Sequence, residues 1–79
     1  MTAQLVFLGR LEDAAGASEL AVVPGPLEAV LASLEPGLAV ALLGERMRMA
    51  LNGVLIAERG GIVLRDHDEL AFLPPVSGG

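Results

Sequence analysis

The chain is a series of short apolar runs separated by polar, glycine or proline breaks. Residues 3–8, Ala-Gln-Leu-Val-Phe-Leu, are apolar and rich in β-formers, and Gly9 closes them, so a strand is expected there. Leu5 and Phe7 then point one way, Val6 and Leu8 the other. Apolar residues on both faces place such a strand inside a sheet rather than at its edge. Residues 10–18 carry Glu12, Asp13, Gly16 and Ser18 and read as a loop or one helical turn. Residues 19–23 read as a second strand, stopped by Pro24-Gly25. The clearest helix spans 26–35. Pro26 suits its first position, where a missing N–H costs nothing. Leu27, Val30, Leu31 and Leu34 fall at i, i+3, i+4 and i+7, a stripe that should pack on the sheet. Pro36-Gly37 ends this helix. Residues 38–44 are apolar and fit either a second short helix or a crossover.

The second half changes period. Residues 47–51 alternate as a strand does, and Asn52-Gly53 follows, a strong hairpin signal because a type I′ turn needs φ > 0 at both central positions. Residues 54–57 give the returning segment. Gly60-Gly61 opens a loop, residues 62–64 are a short apolar piece, and residues 65–69 form a polar turn. Residues 70–73 are the last strand. Strand, strand, helix and further strands in this order imply an α+β domain, a sheet with one main helix on one face. Periodicity leaves the pairing open. A β-grasp arrangement, with first and last strands adjacent and central, is one of several permitted topologies.

Composition narrows the function classes. Seventy-nine residues make one domain, of which 53% are hydrophobic and 19% charged. The lean charge implies exposed apolar patches of the kind found at interfaces. There is no cysteine, so no disulfide and no side-chain thiol for sulfur chemistry, which fits a reducing, cytoplasmic setting. Five arginines and no lysine face ten acids, for a net charge of −5. That balance disfavours nucleic acid and anionic membrane as partners, and a basic protein surface suits it better. No basic leader opens the chain, and no run approaches the ~20 apolar residues of a membrane span.

The last residues carry the chemistry. After the apolar strand come Pro74-Pro75, then Val76-Ser77, then Gly78-Gly79. Two prolines hold φ near an extended value and aim the segment away from the body. Only glycine passes a narrow channel without a β-carbon clash. Residues 74–79 reach at most about 20 Å, and ordering them costs about 1–2 kcal/mol per residue. The expected arrangement is a β-rich domain over 1–73 and a flexible tail over 74–79, with the Gly79 carboxylate as reacting group. A disordered stub or an artificial terminal addition is the plain alternative.

Three stretches resemble one family. Leu5-Val6-Phe7-Leu8-Gly9-Arg10-Leu11-Glu12 with Gly16, then Ala50-Leu51-Asn52-Gly53, then Asp68-Glu69-Leu70-Ala71-Phe72-Leu73-Pro74-Pro75-Val76-Ser77-Gly78-Gly79 are similar to the small subunit of molybdopterin synthase, a ubiquitin-like sulfur-carrier family. The last stretch is the most specific. Two departures stand out: His67 takes the place of a glycine, and Leu73 that of a frequent aromatic. His tolerates φ > 0 better than most residues, so the turn is expected to persist with some strain.

The resemblance implies a β-grasp fold, a mixed sheet with one main helix. It further implies that an adenylating enzyme related to those activating ubiquitin uses ATP on the Gly79 carboxylate. The product becomes a thiocarboxylate, and Gly78-Gly79 then enters a large synthase subunit to give sulfur to a pyranopterin precursor. Phe72, Leu73, Pro74, Pro75, Val76 and Ser77 would contact that partner, in a heterotetramer of two small and two large subunits. The small subunit binds no cofactor or metal and is not catalytic alone. His67, flanked by Asp66 and Asp68, reads as a solvated turn, as do the carboxylate pairs Glu12/Asp13 and Asp68/Glu69, since neighbours on a strand face opposite ways. Two other readings remain open: a carrier of this fold for thiamine, cysteine or tRNA thiolation, and a plain interaction or conjugation module.

Overall fold

The computed structural model describes residues 1–58 and 60–75. Ten short elements follow one another: β1 (Ala3–Phe7), α1 (Leu11–Ala15), β2 (Glu19–Val22), β3 (Gly25–Pro26), α2 (Leu27–Ala32), α3 (Pro36–Leu42), β4 (Arg48–Leu51), β5 (Val54–Leu55), β6 (Val63–Leu64) and β7 (Glu69–Leu73). Five strands form a mixed sheet in the order β2-β1-β7-β4-β5, and β3 pairs with β6 in a second, two-stranded sheet. The first and last strands lie side by side and parallel, Leu5 in register with Leu70 and Phe7 with Phe72. This is the β-grasp arrangement.

Alternation along the central strands builds the core. Ala3, Leu5 and Phe7 of β1, Leu70 and Phe72 of β7 and Met49 of β4 are buried on one face. Phe7 and Phe72 stack with ring centroids 6.0 Å apart. Leu27, Val30 and Leu31 of α2 join that core as the leucine stripe predicts, and Leu34 packs against it partly buried.

The helical part differs from expectation in three ways. Pro26 is not the first helical residue. Its ψ of 144° is extended, and it pairs with Val63 before α2 begins. The helix expected over 26–35 ends at Ser33, whose hydroxyl donates to the Val30 carbonyl at 2.6 Å and whose N–H donates to the same carbonyl. Pro36 then starts a second helix, because a residue without an N–H fits the first turn. Leu38 and Leu42 of α3 are buried in the common core, so two helices share the cover expected of one. Leu11–Ala15 form a third short helix, the helical alternative read for residues 10–18.

The predicted turns hold. Asn52 and Gly53 have φ of 50° and 84°, as a type I′ hairpin between β4 and β5 requires. His67 adopts φ 70°, so the turn expected there persists with a non-glycine residue in the left-handed region.

Candidate functional site

The site grows from the end of β7. That strand lies in mid-sheet, hydrogen-bonded to β1 on one side and β4 on the other, so its last residue leaves from a rigid edge. Leu73 and Pro74 are half-buried and Pro75 is exposed. Val76, Ser77, Gly78 and Gly79, the reactive and partner-binding residues read from the sequence, lie outside the described residues, as does most of the tail assigned to 74–79.

Phe72 is placed differently from its assigned role. Its side chain is 0% exposed and stacked on Phe7, so it serves the core and presents no surface to a partner. Strand alternation is the cause: with Leu70 facing inward, Phe72 faces inward too, and Leu73 faces out.

The loop after β1 braces the exit. Because β1 runs parallel to β7, Gly9 and Arg10 arrive beside Pro74 and Pro75. The Leu8 N–H donates to the Phe72 carbonyl at 3.3 Å. Gly9 has φ 59°, and a β-carbon there would stand 3.3 Å from Cγ of Pro74. Arg10 donates Nη2 to the Pro75 carbonyl at 3.5 Å, a long contact. On the other side a cleft of about 630 Å³ opens, lined by Arg46, Arg48, Met47, Met49 and Ile56 among others, with Pro75 on its wall. From sequence, Gly9 and Arg10 enter only as part of the resemblance, and neither they nor Arg46 and Arg48 are given a role at the tail. Their one legible sign is the all-arginine basic set; only the parallel β1–β7 pairing brings them to the tail.

Beside the exit lies an apolar platform. Val6, Ala71, Ala50 and Leu55 stand in one row across β1, β7, β4 and β5. The first three are half-buried and Leu55 is exposed. This row is on the sheet face opposite the core, as is Leu73. The open face of the sheet thus carries an apolar stretch next to the exit, while other exposed apolar residues, Val23, Val40 and Val63 among them, lie elsewhere.

At the far end of β7 the polar turn is a lock. Asp68 accepts from Nδ2 of Asn52 at 3.0 Å and from the Arg65 N–H at 2.8 Å. The Asn52 amide oxygen accepts the Glu69 N–H at 2.9 Å. First the Asn52 bond, then the Arg65 N–H, hold the Asp68 carboxyl below its ordinary value, with a small contribution from the Arg65 charge; partial desolvation opposes them. Asp66 accepts the Thr2 N–H at 2.8 Å and lies 3.5 Å from Nε2 of His67. The two carboxylates flanking His67 thus serve backbone and turn, and no group of metal-ligating residues gathers among the described residues. Among the same residues no helix is long and apolar enough to cross a membrane.

Comparison with known proteins agrees with this geometry. The ThiS family model matches residues 5–79. The small archaeal modifier protein 1 (SAMP1) of Methanosarcina acetivorans is similar with a TM-score of 0.76 at 29% identity, over 99% of this chain and 96% of that one. SAMP1 of Haloferax volcanii gives 0.71 at 26%, over 100% of both chains. A chain in the complex of subunits 1 and 2 of molybdopterin-converting factor from Helicobacter pylori gives 0.66 at 26%, again over 100% of both. Among curated proteins none matches the sequence.

Proposed function

The chain belongs to the ThiS family of ubiquitin-like sulfur carriers and modifiers, and from that premise we propose that it carries sulfur for molybdenum cofactor biosynthesis, as the small subunit of a molybdopterin synthase. The observation that carries the reading is the run Pro74-Pro75-Val76-Ser77-Gly78-Gly79 issuing from a central strand. A rigid origin and a stiff start suit a segment that must enter another protein's active site. The likeness to the complex from Helicobacter pylori supports the pathway and a large subunit as partner.

In this reading a carboxylate oxygen of Gly79 attacks the α-phosphorus of ATP on an adenylating enzyme, and pyrophosphate leaves. A sulfur donor then displaces AMP at the acyl carbon, leaving a thiocarboxylate. Its sulfur attacks a side-chain carbon of the pyranopterin, an oxygen substituent of that carbon leaves, and hydrolysis of the acyl link then returns the carboxylate. The folded part supplies recognition and reach, and the partners supply the catalytic groups. Domain 1–73 is the platform and 74–79 the arm. Leu73, Pro74, Pro75, Val76 and Ser77 touch the partner, while Phe72 acts through the backbone it anchors.

A second reading has its own support: the modifier proteins superpose with the higher TM-scores, which favours conjugation to other proteins. Mass spectrometry of the protein from its source separates the two. Oxygen-to-sulfur exchange at Gly79 is expected. A Gly-Gly isopeptide on lysines of other proteins with no thiocarboxylate would replace the carrier reading by conjugation.

A further inference from the structure

The fold gathers arginines where the tail leaves, on a molecule whose net charge is −5. Arg10 follows β1 and reaches the Pro75 carbonyl. Arg46 and Arg48 line the cleft that has Pro75 on its wall, and Arg48 stands in register with Leu73. All three are exposed. Among the described residues no carboxylate forms an ion pair with any of them. The acids near by are Glu45 in the same cleft and Glu12 and Asp13 on α1. Asp66, Asp68 and Glu69 lie at the opposite end of β7, with Arg65. Glu19, in register with Val6, is also at the exit end. Carboxylates thus stand at both ends of β7; what distinguishes the exit is three guanidinium groups, against Arg65 alone at the far turn.

We propose that Arg10, Arg46 and Arg48 form a docking collar at the base of the tail, which recognises a carboxylate-bearing rim on the adenylating enzyme that takes the tail in. The proposal rests on the carrier reading for the insertion itself. A guanidinium is a planar fork matched to carboxylates, and three exposed ones without an ion-pair partner among the described residues, Arg10 also reaching the Pro75 carbonyl, are a site for an acidic surface. The whole-molecule charge favours a basic partner, but the first surface met by a protein receiving the tail is this collar. An acidic rim would attract the collar and repel the far turn, so the chain would arrive tail first.

Two measurements test this. Hexaglutamate is titrated at low salt into protein with isotope-labelled arginine. The Nε–Hε signals of Arg10, Arg46 and Arg48 should move together while Arg65 stays; if the three do not move, the collar is refuted. Next, association with the adenylating enzyme of the source organism is timed for Arg48→Glu and Arg65→Glu, which change net charge equally. Arg48→Glu should slow association about tenfold at low ionic strength and flatten its salt dependence, with Arg65→Glu within about twofold of wild type. Arg46→Glu, in the turn before β4, repeats the measurement in case Arg48→Glu disturbs the strand. Equal slowing by the exit and far-turn changes, or none, overturns the collar while leaving the carrier reading intact. A wild-type terminus that enzyme and ATP leave unmodified overturns that reading and the docking claim with it.

Discussion

Asp68 fastens three segments with one residue. Its carboxylate holds the Asn52 amide and the Arg65 N–H, and its carbonyl accepts the Gln4 N–H at 2.9 Å. Because its folded pKa is depressed, its contribution is present above the unfolded value and is lost as pH falls through the folded one. Urea melts of wild type and Asp68→Asn should differ clearly at pH 7, and the gap should begin to narrow only once the pH falls below about 4. A gap independent of pH would mean that the charge contributes nothing. Gly9 and Gly16 offer a second comparison at this scale. Both have positive φ, 59° and 76°, but only a β-carbon at Gly9 meets Pro74; at Gly16 it meets nothing within 4 Å. Each Gly→Ala change should cost about 1 kcal/mol from backbone strain. Only Gly9→Ala should also slow entry of the tail into its partner, measured as the rate of adenylation.

At the scale of elements, what could be read from sequence was what local pattern decides. The β1 run, the leucine stripe of α2 and the Asn52-Gly53 hairpin each carry their own period or turn chemistry, and each forms. The elements that escaped depend on distant partners. Gly25-Pro26 is a strand only because Val63 and Leu64 lie beside it. Pro36-Gly37 marks a helix end and a helix start equally well, and the burial of Leu38 and Leu42 decides for the start. The same limit explains Phe72. Its place beside the tail was legible, but which face it takes depends on a register set across β1, β7 and β4. The two neighbours should therefore separate by assay. Phe72→Ala removes a buried, stacked ring and should lose about 3–5 kcal/mol, a large share of a small domain's stability. Leu73→Glu stands opposite Arg48 on the open face, where the pair limits the folding cost, yet it should weaken partner binding at least about tenfold. Denaturation midpoints and binding constants on the same samples check both; equal affinity in Leu73→Glu would place the docking surface elsewhere.

For the whole molecule, the described core ends within β7, and the proposed chemistry lies beyond that strand. A chain of 79 residues buries only about 60% of its unfolded surface, so it has little stability to spare. The described core runs from Ala3 to Phe72 and draws nothing from beyond the strand. If the terminal carboxylate is the reacting group, the two properties must be separable at residue 79. One uncleavable alanine added after Gly79 moves the carboxylate one residue, up to about 3.6 Å, and puts a β-carbon in the channel that glycine was needed to pass. Thermal melting of the extended protein should match wild type, because no core contact changes. Adenylation by the activating enzyme, followed as pyrophosphate release, should fall to background. An extended chain that is adenylated at the wild-type rate would refute the terminal assignment. One that melts at a lower temperature would show that the tail contributes to the fold as well.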